Sequence, residues 1–256
     1  MRDVVLPLAG TDAGRVGFER GAGGDQTLEV DRAAEAAVFE RLEALAAHGE
    51  SFSVLSEEAG LRDFGAQYPL VLVDPVDGSL NAKQGVPVFA LMLAVLSGPS
   101  MDDAIAGYVL NLVNAEAWSA IRDRGARRNG HRLSVIPRQD KARIQILGLE
   151  SSPRAIGIAA PLIERAGKIR ILGSMALSIA HTAAGGFDVF VAPLPVRVFD
   201  MAASLLILGE SGGVATDLEG APVGTQPASL ERRTTLLCAT NAELHSEALA
   251  ALQSRR

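Results

Sequence analysis

A predicted strand that runs straight into two aspartates is the feature that most limits how this chain can fold. Residues 68–73 are mostly apolar and predict a buried strand. The next residue but one is a proline, which restricts its own φ and biases the residue before it toward an extended conformation. The sequence therefore predicts two carboxylates on a stiff turn at the end of a buried strand, in the segment Asp74-Pro75-Val76-Asp77-Gly78-Ser79.

This turn combines two kinds of binding group. Carboxylates held on a rigid turn suit Mg²⁺, because that ion demands near-octahedral geometry and gives up few of its waters. Gly78 and Ser79 follow at once, and small residues with free backbone N–H groups at a predicted helix start can bind an anion. A cation site beside an anion site predicts phosphate chemistry.

The composition excludes several classes of partner. The chain has 256 residues and a formal net charge of −6, so no overall basic field favours nucleic acid or an anionic membrane. The N-terminus lacks a basic stretch followed by an apolar one, and no apolar run reaches membrane-spanning length. We therefore expect a cytoplasmic protein. Its length allows one large domain or two closely joined halves, predicted at residues 1–140 and 141–256.

The pattern of apolar residues predicts an α/β protein with layered sheets covered by helices. Before residue 140 it predicts an antiparallel sheet, a hairpin at Asn129-Gly130 and a helix that Asp31 can cap. After residue 140 strands and helices alternate, and Pro161 is expected to break or kink the first of those helices. Strands are predicted at residues 52–55, 68–73, 88–96, 105–112, 116–122, 143–149, 168–172 and 187–192, and helices at residues 154–166, 174–184 and 201–210 and from residue 242.

Acidic residues stand at the ends of several predicted elements, where α/β folds usually assemble their sites. Each has a simpler explanation when taken singly, as a helix cap, a loop acid or a turn residue. Gathered in one cleft, the carboxylates would repel one another unless cations or protons accompanied them. If they converge, two or three Mg²⁺ ions could be held by the Val76 carbonyl and by the carboxylates of Glu57, Asp74, Asp77 and Asp200.

Three segments resemble the signature segments of the inositol monophosphatase family, in the family's order. They are Ser56-Glu57-Glu58, the residues from Asp74 to Asn81, and Asp200-Met201-Ala202-Ala203; residues 210–217 also fit the pattern. The resemblance covers roughly residues 20–250. Ser56, Ser79 and the segment Pro195-Val196-Arg197 make the chain most similar to archaeal-type members that hydrolyse both inositol monophosphate and fructose bisphosphate.

The resemblance implies a layered αβαβα sandwich of the sugar-phosphatase type, a homodimer, and hydrolysis of a small phosphorylated substrate. It implies two or three Mg²⁺ ions per site, for which Mn²⁺ could substitute, with Glu57, Asp74, the Val76 carbonyl, Asp77 and Asp200 as ligands. Asp31 and Ser79 would orient the attacking water, and Glu58 would be an auxiliary acid. The implied substrate contacts are Gly78, Ser79, Gly173, Ser174, Arg197 and Asp200.

Some departures and alternatives stay open at this point. Animal-type members carry a glutamate shortly before the last segment that contacts inositol hydroxyls, whereas this chain has Ala192-Pro193-Leu194-Pro195. Strict inositol specificity is therefore not expected. Arg197 could contact a substrate or form a structural ion pair. A nucleotide phosphatase acting on a phosphoadenosine phosphate or NADP is disfavoured, because the chain offers no obvious adenine platform. A catalytically silent metal- and polyol-binding regulator would usually have lost an acidic ligand or Ser79.

Overall fold

The computed structural model describes residues 1–133 and 144–254. The helices of this part are α1 (Arg2–Val5), α2 (Glu29–Ala47), α3 (Ser79–Gln84), α4 (Ala160–Ile163), α5 (Met175–Ala183), α6 (Ala202–Glu210) and α7 (Ala242–Gln253). The strands are β1 (Gly17–Arg20), β2 (Gln26–Leu28), β3 (Phe52–Ser56), β4 (Gly60–Asp77), β5 (Ala90–Leu96), β6 (Ala104–Asn111), β7 (Ala117–Ile121), β8 (Ala126–Arg128), β9 (His131–Arg132), β10 (Ile146–Leu149), β11 (Lys168–Arg170), β12 (Val189–Arg197), β13 (Val214–Thr216) and β14 (Arg233–Ala239).

Strands β3 to β9 form one seven-stranded sheet in sequence order. Two stretches of the long strand β4 pair with β3: Ser56 pairs with Gly60 in the first stretch and with Val73 in the second. The second stretch of β4 pairs antiparallel with β5, and β5, β6 and β7 continue this antiparallel pairing. The predicted antiparallel sheet is therefore confirmed. The hairpin predicted at Asn129-Gly130 is also confirmed, because it joins the antiparallel strands β8 and β9.

The second sheet has five strands in the order β11-β10-β12-β14-β13. Its centre is mixed, because β10 pairs in parallel with β11 and β12, whereas β14 pairs antiparallel with β12 and β13. Strands β1 and β2 form a separate two-stranded sheet. The second half therefore alternates strands and helices, as its sequence pattern predicts.

Alternating residues of each sheet pack on opposite layers, as the period of two in a β-strand requires. Leu72 and Phe190, one from each sheet, share a core with helices α5 and α6, which lie between the sheets. The neighbouring Val73 packs instead with α2, and Val191 packs with α4 and α7. The layers therefore run helix, sheet, helix, sheet, helix, and the predicted αβαβα sandwich is confirmed.

Two predicted helices differ in their bounds. The helix predicted at residues 154–166 is broken beside Pro161, as expected, but its bounds are wrong: a 3₁₀ turn at Ile156–Ala159 leads into the four-residue α4. Pro161 lies in the first turn of α4, where its missing N–H costs nothing, so it begins a short helix and does not kink a long one. Helix α2 begins two residues before Asp31, which is therefore its third residue and not its N-cap.

Part of the sequence prediction falls on residues 134–143, which lie outside the described residues. The predicted boundary between the halves, at residue 140, is among them, and the division into halves stays a prediction. Residue 143 was also predicted to start a strand, and the described part of that strand begins at Ile146. None of the helices within 1–133 and 144–254 combines the length and the hydropathy needed to span a membrane.

Candidate active site

Three buried carboxylates from separate elements meet at one end of the first sheet. Glu57 follows β3, Asp74 lies near the end of β4, and Asp200 lies in a 3₁₀ turn before α6. One carboxylate oxygen from each lies within 4.8 Å of the other two. The predicted convergence of these three acids is confirmed, and their oxygen atoms fit a divalent cation, because buried carboxylates so close together repel one another unless cations accompany them.

Two buried carboxylate oxygens at the site also lack a hydrogen-bond donor. Within the described residues, Oδ1 of Asp31 and Oδ1 of Asp200 have no partner. Buried polar atoms are nearly always satisfied in folded proteins. Free acceptor oxygens in this position therefore fit a site that binds a metal ion or an ordered water.

Asp77 connects the site to helix α5 of the second half. Its Oδ1 accepts the Met175 N–H (N···O 3.1 Å), and its Oδ2 accepts the Ala176 N–H (2.9 Å) and the Ser174 hydroxyl. Ser174 Oγ in turn accepts the Leu177 N–H, so Ser174 caps α5. A carboxylate has about four acceptor positions, so Asp77 keeps one on Oδ1 for a metal ion.

The turn itself is held by short internal hydrogen bonds. The Val76 N–H donates to Asp74 Oδ1 (N···O 3.0 Å), and the Ser79 hydroxyl donates to the Val76 carbonyl (2.9 Å). Gly78 has a φ of 95°, and a Cβ there would lie 3.0 Å from the Gly173 carbonyl oxygen. Glycine is therefore required where α3 begins, and this contact brings Gly173 beside the turn.

Two further predicted acids lie next to the carboxylate cluster. Oδ2 of Asp31 accepts the Leu28 N–H (N···O 3.0 Å), and burial raises the pKa of Asp31 to about 6. Glu58 accepts the Thr27 hydroxyl, and burial raises its pKa to about 7. Both carboxyls can therefore exchange protons near neutral pH in the absence of a metal ion.

Arg197 is a cation inside the carboxylate cluster. Its Nη2 lies 2.5 Å from Glu57 Oε1, its Nε 3.0 Å from Asp200 Oδ2 and its Nη1 3.4 Å from Asp25 Oδ2. Its side chain is only 11% exposed. Of the two roles weighed for Arg197, the structure shows the ion pair. Burial raises the pKa of Asp200 to about 7, although Arg197 opposes the shift.

These groups surround an open cavity of about 360 Å³. The predicted residues that line it are Asp31, Glu57, Glu58, Asp74, Val76, Asp77, Gly78, Ser79 and Arg197. Gly173, Ser174 and Asp200 are not among its lining residues but contact it through Gly78, Asp77 and Arg197, respectively. The roles of all these residues in ligand binding and catalysis stay predictions.

Sequence reasoning missed three polar lining residues and one supporting residue. Asp25, Gln26 and Lys83 line the cavity, and Glu35 on α2 accepts the Ala59 N–H (2.9 Å) beside the paired glutamates. Lys83 stands four residues after Ser79, so helical spacing could have placed it on the same face of α3. Asp25, Gln26 and Glu35 have ordinary polar neighbours in the sequence, and no motif marks them as site residues.

Comparison with known proteins agrees with this geometry. A family model described as the inositol monophosphatase family matches residues 10–256. The chain belongs to the inositol monophosphatase family. A fructose-1,6-bisphosphatase/inositol-1-monophosphatase of Thermococcus kodakarensis is 30% identical to it over 254 residues, which are 99% of this chain and 93% of that protein.

Two further similarities bear on the fold and on the substrate class. A Thermotoga maritima inositol monophosphatase structure superposes with a TM-score of 0.79 at 26% identity, covering 99% of this chain and 94% of that one. A bifunctional NADP phosphatase/NAD kinase of Methanococcus maripaludis is 26% identical over 95% of this chain, but the match covers 45% of that longer protein.

Proposed function

We propose that this protein is a Mg²⁺-dependent phosphatase that hydrolyses phosphomonoesters of small sugars or polyols, with inositol monophosphate and fructose 1,6-bisphosphate as its expected substrates. The observation that carries the proposal is the convergence of Glu57, Asp74 and Asp200 within 4.8 Å beside the turn that contains Gly78 and Ser79. The Thermococcus relative, whose name includes both activities, supports the same substrate class.

The carboxylates would hold two or three Mg²⁺ ions, or Mn²⁺ in their place. Glu57, Asp74 and Asp200 form the centre of the ligand set, with the Val76 carbonyl and Oδ1 of Asp77 as the remaining ligands. When bound, the metal ions neutralise phosphoryl oxygens and lower the pKa of a coordinated water. The chain's part is to place these charges where the substrate's own negative charge would otherwise repel a nucleophile.

Water would be oriented by Asp31 and Ser79. Oδ1 of Asp31 has no hydrogen-bond donor within the described residues and Asp31 lines the cavity, so this oxygen can accept a hydrogen bond from the attacking water. Ser79 Oγ donates to the Val76 carbonyl and keeps its lone pairs for a second water proton. Glu58, with a pKa near 7 before metal binds, would be the auxiliary acid.

The substrate would lie between the two halves of the site. The N–H groups of Gly78 and Ser79 would bind the phosphate, while Gly173, Ser174 and Asp200 would contact the sugar or polyol. Arg197 can contribute to substrate binding only after its guanidinium leaves Glu57 and Asp200. The open cavity of about 360 Å³ is large enough for a small phosphorylated sugar.

A nucleotide phosphatase is the second candidate, because one similar protein is a bifunctional NADP phosphatase/NAD kinase. The silent-regulator alternative is disfavoured, since each predicted acidic ligand and Ser79 are present in the sequence. We further propose a homodimer, on the basis of the family resemblance, and a cytoplasmic location. Light scattering on the purified protein tests the dimer.

A phosphate-release screen tests the proposed function. The substrates are inositol monophosphate, fructose 1,6-bisphosphate, NADP and phosphoadenosine phosphate, each with Mg²⁺ and with excess EDTA. We expect release from the sugar and polyol phosphates that EDTA abolishes and added Mg²⁺ restores. Release from the nucleotides alone would favour the second candidate, and no release from any substrate would favour the regulator.

A further inference from the structure

The Arg197 guanidinium contacts two of the predicted metal ligands at once. Its Nη2 and Nε atoms reach one oxygen each of Glu57 and Asp200, at 2.5 and 3.0 Å. These carboxylates are also two of the three whose oxygens cluster within 4.8 Å. A guanidinium keeps its charge at all relevant pH values. The predicted metal ligands are therefore already neutralised in part by the chain itself.

The same guanidinium also contacts the segment between β1 and β2, residues 21–25. Its Nη1 lies 3.4 Å from the Gly23 carbonyl oxygen and 3.4 Å from Asp25 Oδ2. The Gly23 N–H donates to the Glu57 carbonyl (N···O 2.7 Å). One side chain therefore connects the carboxylate cluster to a segment whose last residue, Asp25, lines the cavity.

A divalent ion held by Glu57 and Asp200 would place a like charge beside this guanidinium. Charges of the same sign repel strongly at contact distances in a partly buried site. Arg197 binds one oxygen each of Glu57 and Asp200, so a metal ion held by the remaining acceptor positions of these carboxylates would be separated from the guanidinium by a single carboxyl group. The metal ion and Arg197 therefore compete for shared carboxylates.

We propose that Arg197 occupies a cation position of this cluster, competes with a divalent metal ion for Glu57 and Asp200, and holds the 21–25 segment against the site until the metal displaces it. The inference rests on the proposed metal site. Displacement frees the guanidinium for a substrate oxygen, so metal binding precedes productive substrate binding.

Calorimetric titration of metal-free protein with MnCl₂, in the absence of substrate, tests the competition. We expect Arg197→Met to lower the Kd for Mn²⁺ on the order of tenfold relative to wild type, because a competing cation is gone. An unchanged or higher Kd would overturn the proposal, since it would show that Arg197 organises the ligands and does not compete for them. No binding by either protein would overturn the metal site and the competition together.

Two variants keep this titration decisive. Arg128, which forms an ion pair with Glu116, lies on β8, four strands away from β4 in the first sheet. Arg128→Met removes the same charge as Arg197→Met and should leave the Kd at the wild-type value. Arg197→Lys serves if the methionine variant does not fold, because lysine keeps a positive charge at this position. One ammonium group cannot contact both carboxylates as the planar guanidinium does, so it should compete less well with the metal ion. We expect a Kd at least about threefold below wild type, and an equal or higher value contradicts the proposal.

Hydrogen–deuterium exchange tests the coupling to the 21–25 segment. In wild type, Mn²⁺ should speed exchange in peptides that cover residues 21–25. In Arg197→Met the exchange should already be fast without metal and should change little when Mn²⁺ is added. Slower exchange in metal-bound wild type would show that the metal fastens the segment, and the coupling would be wrong. Because the readout needs no turnover, it is independent of whether the screened substrates are hydrolysed.

Discussion

At the scale of single residues, Asp77 combines a structural task with the proposed task of binding a metal ion. Three donors from the start of α5 bind its carboxylate, and one acceptor position on Oδ1 remains for a metal ion. Together the two tasks would account for a charged residue that is buried at this point. An amide of the same size would lose the charge and would also turn an NH₂ group toward at least one of these donors.

We therefore expect Asp77→Asn to reduce kcat by roughly a hundredfold or more at saturating Mg²⁺, because the site loses an anionic ligand. Phosphate release is the measurement, and far-UV circular dichroism checks the fold. Asp12→Asn is the matched control, since the Asp12 side chain is fully exposed. Near wild-type turnover in Asp77→Asn would remove Asp77 from the metal ligands.

The carboxyl of Asp200 should make the metal-free protein less stable as the pH rises. Burial raises its folded pKa to about 7, above the unfolded value near 4. Between these values the folded state holds a proton that the unfolded state has released, so each step up in pH lowers the free energy of unfolding. Above pH 7 both states are ionised and the loss levels off.

Urea unfolding in EDTA at pH 5.5 and pH 7.5 measures this effect against Asp200→Asn. From the lower to the higher pH, wild type should lose roughly 1–2 kcal/mol relative to the variant. Burial lowers the pKa of His181 and His245, which acts in the opposite direction, but both proteins share these histidines. Parallel pH profiles for the two proteins would contradict the assignment.

At the scale of elements, the first turn of α5 depends on the site. Ser174 caps the helix through the Leu177 N–H and also donates to Asp77. Asn241 caps α7 in the same way, through the Leu244 N–H, but within residues 1–133 and 144–254 its side chain donates to no carboxylate of another element. The two caps form a natural pair for measuring what the connection to the site adds.

We expect Asn241→Ala to cost about 1 kcal/mol of unfolding free energy, the usual value of a lost cap. Ser174→Ala should cost more, about 2–3 kcal/mol, because it also deprives buried Asp77 of a donor. Urea unfolding in the presence of Mg²⁺ measures both. Equal losses would show that the hydrogen bond between Ser174 and Asp77 contributes nothing to stability.

The comparison of sequence with structure is most informative for these elements. The three acidic segments could be predicted, because each directly follows or precedes a strongly apolar run. The contact between Asp77 and Ser174 could not, because 97 residues separate them and only the docking of α5 between the sheets brings them together. The sequence did signal that Pro161 interrupts the helix predicted at residues 154–166, but apolar spacing alone does not show that the residues before it form a 3₁₀ turn.

At the scale of the whole molecule, the two sheets share one core. Helices α5 and α6 pack with residues of both sheets, among them Leu72 of the first and Phe190 of the second. Trp118, the one tryptophan of the chain, belongs to this core and lies on β7 of the first sheet. Neither sheet can therefore expose its inner face without disrupting the other.

We expect a single cooperative unfolding transition for the whole chain in urea. Trp118 fluorescence, which reports on the first sheet, and far-UV circular dichroism, which reports on all elements, should give coincident curves. Two separate transitions, with fluorescence changing apart from the dichroism, would mean that the predicted halves at residues 1–140 and 141–256 are independent folding units.

The placement of Asp77 has a consequence for the chain during its synthesis. Glu57, Asp74 and Asp77 leave the ribosome about a hundred residues before α5 and Asp200 do, so an unfinished polypeptide carries most of the acids but lacks Asp200, Arg197 and the donors that hold Asp77. With the proposed ligand set, catalysis would start only when α5 and Asp200 are in place. Hydrolysis of phosphate esters would therefore indicate that α5 and Asp200 have docked against the first sheet.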